Sequence, residues 1–468
     1  MKPEQATEYL LGLNSRGIKL DLDRMRYALR DLGHPERDYP VVLVTGTNGK
    51  GSTASALASI LRASGQRTGF FSSPHLVDYR ERIRIDGRMI SPESLAEEVT
   101  RWREVWERYE LTFFEVGVAL SLTAFRDAAV DVAVLEIGLG GRLDATNTTE
   151  PCLSVVASVG YDHVHILGDT LEQIAREKAG IFRPGVPALV QDGYAAAVRT
   201  LREQASRIGA PCHSRRDLVH VSGIEPSGDL RMRFRLAPRA GMGELLELPE
   251  DGLSLEIGAW GKYQVANATL AALAARLPGG LMRRPSWDDV ARGLSVWKWP
   301  GRLDRPDPNL PLLFDAGHNR QAGEVLATAL KAYLGGRPLD LVVGMVAKKD
   351  HLGYLRPLRE LTPRIRLSLP MTPRAATREE LEAAARSAGF EFEWWDSVGS
   401  ALQAALDAAN RADAANRANA PNLSNAANRG NGASAGPNPQ GPLVVLAGSL
   451  FVLEEGYRHL GLVPGEQI

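Results

Sequence analysis

Apolar positions in the first forty residues recur at helical spacing, with Leu10, Leu11 and Leu13 and later Met25, Leu29 and Leu32. Beyond them, short continuous apolar runs alternate with helical stretches. VVLVT (41–45), TGFF (68–71), DVAVLE (131–136), LSVVAS (153–158) and VPALV (186–190) read as buried strands, and the first intervening helix runs through 54–63. This alternation predicts a parallel sheet covered by helices. Across 217–258 the pattern changes to short hairpin-like strands, LRMRFRLA and LSLEIGA among them, a β excursion of the same domain. Helices over 261–275 and 286–294 close the first unit.

The Pro- and charge-rich stretch WKWPGRLDRPDPNLP reads as a linker, giving an N-terminal domain of 1–297 and a C-terminal domain of 298–468. A second alternation follows: PLLFDA, helix 320–334, LDLVVGM, helix 351–361, IRLSLP, helix 377–388 and VVLAGS. The expected fold is thus α/β: a parallel-sheet domain with a P-loop-like Gly-rich turn after its first strand, then a smaller doubly wound α/β domain. Before the last strand, 409–441 is dominated by Ala, Asn, Gly and Pro. With little apolar surface to offset ordering entropy, it is expected to be a disordered insertion.

Composition narrows the partners. A chain of 468 residues exceeds what one core usually serves. Apolar and charged fractions of 44% and 24% are those of an ordinary globular protein. Lys plus Arg, 55, nearly cancels Asp plus Glu, 56, so no basic field points to nucleic acid or membrane, and a small molecule is the expected partner. The two cysteines, Cys152 and Cys212, cannot build a disulfide framework. The N-terminus lacks a signal peptide's apolar core, and no continuous apolar run approaches the roughly 20 residues of a membrane span. A cytoplasmic monomer is expected.

The strand VVLVT runs into Gly46-Thr47-Asn48-Gly49-Lys50-Gly51-Ser52-Thr53 and a helix. Backbone N–H groups of a Gly-rich turn and a helix N-terminus form an anion nest, with Lys50 as a point charge for the outer phosphates and Ser52 or Thr53 within reach of phosphate or Mg²⁺. The common Walker pattern is not met literally: its first glycine falls on Val44 and its hydroxyl residue on Gly51. Thr170 and Gln173 have capping-box spacing, so a helix starts near Leu171, and Leu171, Ile174, Ala175 and Lys178 share one face. A lysine on an apolar stripe either snorkels to water or is buried as a neutral amine. On the residues alone, Ser73 is an exposed turn serine, Glu136 a carboxylate ending a strand, and His163 a loop histidine with His165 as its rival. Arg302 is a linker arginine, Asp315 a strand-end aspartate and His318 a histidine before a helix.

GTNGKGST after a strand resembles the nucleotide loop of the Mur ligase superfamily. The closer resemblance is to the folylpolyglutamate synthase/dihydrofolate synthase family. SSPHL (72–76), ERIRIDG (81–87), LTFFE (111–115), LEIGLGGRLDATN (135–147), VGYDHVHILGDTLEQIAREKAGI (159–181), PGR (300–302), DAGHN (315–319) and AGSL (447–450) fall in family order. Lys348-Lys349-Asp350 stands where the family usually has D-K-D, DAGHN alters the usual order of small residues, and the 409–441 tract is not a family feature.

The resemblance implies an ATP-dependent amide ligase. The γ-phosphoryl of ATP, a co-substrate, passes to a folate carboxylate, and L-glutamate displaces phosphate from the acyl phosphate. It implies two Mg²⁺ ions held by Ser73, Glu136, His163 and a carbamylated Lys178. Gln264 and Asn267 are expected at adenine and ribose. Arg302 and Asp315 are expected to clamp ribose or phosphate as the domains close, with His318 near the γ-phosphate. Folate is expected at Ser73, Pro74, His75, Arg142 and Asp144. Dihydropteroate would make the enzyme bifunctional. A muramyl-peptide ligase would need a nucleotide-sugar domain before Gly46, for which there is no room. A P-loop kinase or switch ATPase explains GTNGKGST but neither DAGHN nor the lysine of EKAGI, and a pure binding module does not explain a second nucleotide-closing domain.

Overall fold

The computed structural model describes residues 1–17, 19–419 and 441–465. The chain divides into two compact units, Met1–Trp299 together with Gly465, and Pro300–Pro464.

The first unit is built on eight strands: β1 (Val41–Thr45), β2 (Thr68–Phe71), β3 (Ile83–Ile85), β4 (Arg88–Met89), β5 (Val132–Glu136), β6 (Pro151–Val156), β7 (Ala188–Val190) and β8 (Cys212–Ser214). Their order is β4-β3-β2-β5-β1-β6-β7-β8. The strands from β2 to β8 pair in parallel, while β3 and β4 extend the edge as an antiparallel hairpin. Every residue of β1 and β5 is buried, as expected for strands covered on both faces. From β1 the chain runs outward to β2 on one side and later returns to β6 on the other. The carboxyl end of β1 is therefore a topological switch point, where open α/β sheets bind ligands.

The helix Lys50–Ala63 leaves that point and is buried along most of its length. Helices Lys262–Arg276 and Trp287–Val296 pack on it. Gly293 permits the close crossing: a Cβ there would sit 2.6 Å from Ile60 Cα, and its carbonyl accepts from Ser59 Oγ at 2.8 Å. Helices Pro3–Gly12, Asp23–Asp31, Pro92–Arg108 and Phe113–Asp127 supply the core on the other face. The β excursion is a separate antiparallel sheet of β9 (Val219–Gly228), β10 (Arg231–Pro238) and β11 (Leu253–Ile257).

The second unit has six strands: β12 (Arg302–Asp304), β13 (Leu312–Asp315), β14 (Leu339–Val343), β15 (Arg364–Leu367), β16 (Phe392–Trp394) and β17 (Leu443–Ala447). They are ordered β12-β13-β17-β14-β15-β16, all parallel except β12. Two expectations are corrected here. Part of the expected linker is the edge strand β12, which pairs Arg302 with Asp315. Residues 409–419, expected to be disordered, continue the helix Val398–Asn419, because an Ala-rich segment is a strong helix former. The remainder of that tract, 420–440, lies outside the described residues. Among the described residues, no helix is long and apolar enough to cross a membrane.

Candidate active site

The loop after β1 is braced by the loop after β6. Thr47 N–H donates to Ser158 O at 2.6 Å, Thr47 Oγ1 to Gly160 O at 2.9 Å, and Ser158 Oγ to Asn48 O at 3.0 Å. Gly46 has φ 154°, and a Cβ on it would lie 2.9 Å from Ala157 Cβ, so no larger residue fits. The helix begins at Lys50 rather than at 54. Lys50, Gly51, Ser52 and Thr53 therefore form its first turn, the positive end of the helix dipole. Lys50 Nζ donates back to Thr47 O at 3.2 Å. Thr53 Oγ1 is buried with no hydrogen-bond partner among the described residues.

Gly51 explains the departure from the Walker pattern. A Cβ there would lie 3.2 Å from Glu136 Oε2 and 3.2 Å from the indole of Trp299, a tight fit that favours glycine at that position. The carboxylate ending β5 occupies that space instead. Glu136 Oε2 accepts from Ser73 N–H at 3.1 Å, bringing together two residues expected at metal. Trp299 packs edge-on against Phe70, ring centroids 5.7 Å apart, and Trp297 Nε1 donates to Ser55 Oγ at 2.9 Å. Both tryptophans were missed as site supports, since WKWP carries only a linker signal. Gln264 and Asn267, expected at adenine and ribose, lie together beside the phosphate loop. Asn267 Nδ2 donates to Gln264 Oε1 at 2.9 Å, and Asn267 Oδ1 would touch a Cβ on Gly49, so the pair backs the phosphate loop. Gln264 Nε2 is buried without a partner among the described residues.

Lys178 lies where the helical spacing put it. The helix Leu171–Ala179 opens with the Thr170–Gln173 capping box and buries Leu171, Ile174, Ala175, Lys178 and Ala179. Lys178 is only 2% exposed, and its Nζ donates to Gly46 O at 2.8 Å. Burial pushes its pKa down to about 7, helped by Lys50 and opposed by Asp162 and Asp144. His163 sits with φ 49° on the exposed turn before a short helix, its ring centroid 6.2 Å from that of His165.

The segment GGRLDATN interlocks with the helix of Lys178. Arg142 N–H donates to Glu177 O at 2.9 Å, its guanidinium grips the Glu177 carboxylate at 3.0 Å, and Asn147 Nδ2 donates to Gly180 O at 3.0 Å. Asp144, expected to touch the pterin or the reacting carboxylate region, also braces its own loop. Its buried carboxylate accepts from Leu139 N at 2.8 Å, Thr146 N at 3.1 Å and Thr146 Oγ1 at 2.6 Å. Burial raises its pKa, against those hydrogen bonds.

The SSPHL loop is held by two residues that motif reasoning left unassigned. The Glu81 carboxylate accepts from Leu76 N, Val77 N and Asp78 N at 2.9, 2.7 and 2.7 Å. Arg82 Nε donates to His75 Nδ1 at 2.8 Å. A signal was available: two charged residues directly before a strand, in a segment that ends up buried, need partners.

In the second unit, Arg302, Asp315 and His318 gather at the end of β13. Burial raises the Asp315 carboxyl, with Arg302 and His318 acting against it. His318 Nδ1 lies 3.1 Å from Ala316 O. Asp304, not expected at all, accepts from Gly301 N–H at 2.5 Å and from Tyr457 OH at 3.3 Å, and burial pushes it up to about 7.

The Mur ligase middle domain family matches residues 44–275. A dihydrofolate synthase/folylpolyglutamate synthase of Bacillus subtilis is 32% identical over 388 residues, covering 81% of this chain and 87% of that protein. A folylpolyglutamate synthase of Mycobacterium tuberculosis, solved with ADP and AMPPCP, superposes with a TM-score of 0.85 at 26% identity, covering 99% of this chain and 100% of that one. The E. coli FolC structure with DHPP and ADP gives 0.79 at 29% identity, covering 98% of each. With a switch-point phosphate loop, a carboxylate beside its first turn and a buried lysine on its first carbonyl, the chain belongs to the folylpolyglutamate synthase/dihydrofolate synthase family of Mur ligases.

Proposed function

We propose that this enzyme is an ATP-dependent ligase that joins L-glutamate to the terminal carboxylate of a tetrahydrofolate through an acyl phosphate, and that it also accepts dihydropteroate. The observation that carries the reading is the convergence on one loop of Lys50, the Ser73–Glu136 pair and Lys178. A carboxylate is a poor electrophile. Attack of its oxygen on the γ-phosphorus of ATP forms an O–P bond as the β–γ bridge breaks. The glutamate amine then attacks the acyl carbon, and phosphate leaves with the carboxylate oxygen. Catalysis of this kind is positioning and charge neutralisation. Gly46 to Thr53 would cradle the phosphates with backbone N–H groups, Lys50 would neutralise the transferred group, and Gln264 and Asn267 would stiffen the loop from behind. Arg302, Asp315 and His318 of the second unit would serve the nucleotide.

The donor set fits Mg²⁺. The Glu136 carboxylate, the hydroxyl of Ser73, whose N–H it accepts, and the unpartnered hydroxyl of Thr53 are hard oxygens, and Mg²⁺ in phosphoryl-transfer sites takes few protein ligands besides phosphate oxygens. Ser73, Glu136 and His163 would hold one ion, and Lys178 as a carbamate a second. Bound Mg²⁺ supplies neutralisation of phosphate charge. Folate would lie against Ser73, Pro74, His75 and Arg142, with Asp144 shaping the loop behind them. A monomer working in the cytoplasm completes the reading.

The test is release of ADP with tetrahydrofolate and with dihydropteroate in parallel, with and without glutamate. Glutamate-dependent release with both supports a bifunctional ligase. Release that ignores glutamate would mean a switch ATPase instead.

A further inference from the structure

Arginine stays protonated in proteins, so in the pair of Arg82 Nε and His75 Nδ1, 2.8 Å apart, the arginine is the donor and the ring nitrogen must accept. A neutral imidazole with an accepting Nδ1 carries its proton on Nε2. The guanidinium is well placed to impose this. Arg82 is 5% exposed, stacks over Phe113 at 4.8 Å and Tyr79 at 5.5 Å, and its carbonyl accepts from Ser72 N at 3.0 Å. Glu81 meanwhile holds three successive N–H groups just after His75, so the loop has little freedom to turn the ring. The Tyr79 ring also faces the imidazole, centroids 5.8 Å apart, and the Asp78 carboxylate lies near it, itself engaged by Arg80 at 2.6 Å.

We propose that Arg82 is a positioning residue that locks His75 as the Nε2–H tautomer, so that His75 serves as a hydrogen-bond donor to an acceptor oxygen or nitrogen of the folate substrate. This rests on the reading that the SSPHL loop takes folate. It also makes His75 unsuited to act as a base through Nδ1.

The experiment uses the full chain with ¹⁵N-labelled histidine and long-range proton–nitrogen correlation spectra. There are nine histidines, and loss of one pattern in His75→Gln assigns the signal. The wild type should show an unprotonated Nδ1 and a protonated Nε2 at His75. Arg82→Met, which keeps most of the packing volume, should lose that single pattern, and Arg82→Lys, which still offers a donor, should restore it at least in part. If Arg82→Met does not fold, the wild-type and lysine spectra decide. A protonated Nδ1 in the wild type, or an unchanged ring in Arg82→Met, overturns the assignment whatever the substrate is. In kinetics, Arg82→Met should raise KM for the folate about tenfold, the cost of one misdirected hydrogen bond, with KM for ATP little changed. A shifted tautomer with an unchanged folate KM overturns donation to folate and the folate reading of the loop, leaving the tautomer lock standing.

Discussion

Lys178 Nζ donates to the carbonyl of Gly46 across 2.8 Å, joining a helix that ends in EKAGI to the first residue of the phosphate loop. A buried amine is costly unless it has a partner or gives up its charge, and here its pKa falls to about 7. Near neutrality a large share of it is the free amine, the form that reacts with carbon dioxide.

If Lys178 works as a carbamate, its function is that of a carboxylate at a fixed distance from the helix. Lys178→Ala and Lys178→Arg should both be nearly inactive. A small carboxylic acid such as acetate or propionate should restore part of the alanine variant's activity, and methylammonium should not. Rescue by methylammonium alone would show a free ammonium at work.

The same lysine gives stability a pH dependence. Its native pKa is near 7 and its unfolded one near 10.4, so between those values the unfolded chain binds the extra proton and stability rises with pH. Below about 7 both states are protonated and this contribution is flat. In carbon-dioxide-free buffer, wild type should gain on Lys178→Met by on the order of 1 kcal/mol per pH unit from pH 7 to 9. Denaturant melts at several pH values check this. A constant difference would mean that the amine is not depressed.

Ser73→Ala and Glu136→Ala should each raise the Mg²⁺ concentration needed for half-maximal rate, with KM for glutamate little changed. Glu136 should have the larger effect, because its carboxylate carries charge and also holds Ser73 N–H. Unchanged metal titrations in both variants would remove them from the metal site.

Gly180→Ala should hurt folding more than its size suggests. A Cβ at Gly180 would run into the backbone and Cβ of Arg142, where the GGRLDATN loop crosses the end of the Lys178 helix. Overpacking of this kind costs about 1–3 kcal/mol. A melt unchanged from wild type would show that the two segments separate easily.

Much of this was legible in the residues. The capping box of Thr170 and Gln173 fixed the phase of the helix, and the phase put Lys178 inside. Helix 320–334 and the buried strands of both sheets follow directly from apolar spacing. What escaped had a physical reason. Gly51, Ser52 and Thr53 are poor helix formers, so the first turn of the phosphate helix was hidden until the packing of Trp299 against Gly51 and the hydrogen bond from Trp297 to Ser55 showed what holds it. Strands β3 and β4 are short and charged, and β12 has three residues between prolines. The grips of Glu81 and Arg82 on the SSPHL loop depend on side-chain directions that spacing alone does not encode.

The acyl phosphate is the central claim, and oxygen tracing tests it most directly. With ¹⁸O in the terminal carboxylate of the folate, each turnover should deliver one labelled oxygen to inorganic phosphate, read by mass spectrometry or ³¹P NMR. Lys50→Ala should suppress that transfer by on the order of 10²–10³-fold or more. Product formation with no label in the phosphate would contradict the mechanism, and label transfer undiminished in Lys50→Ala would contradict the assignment of the phosphate loop.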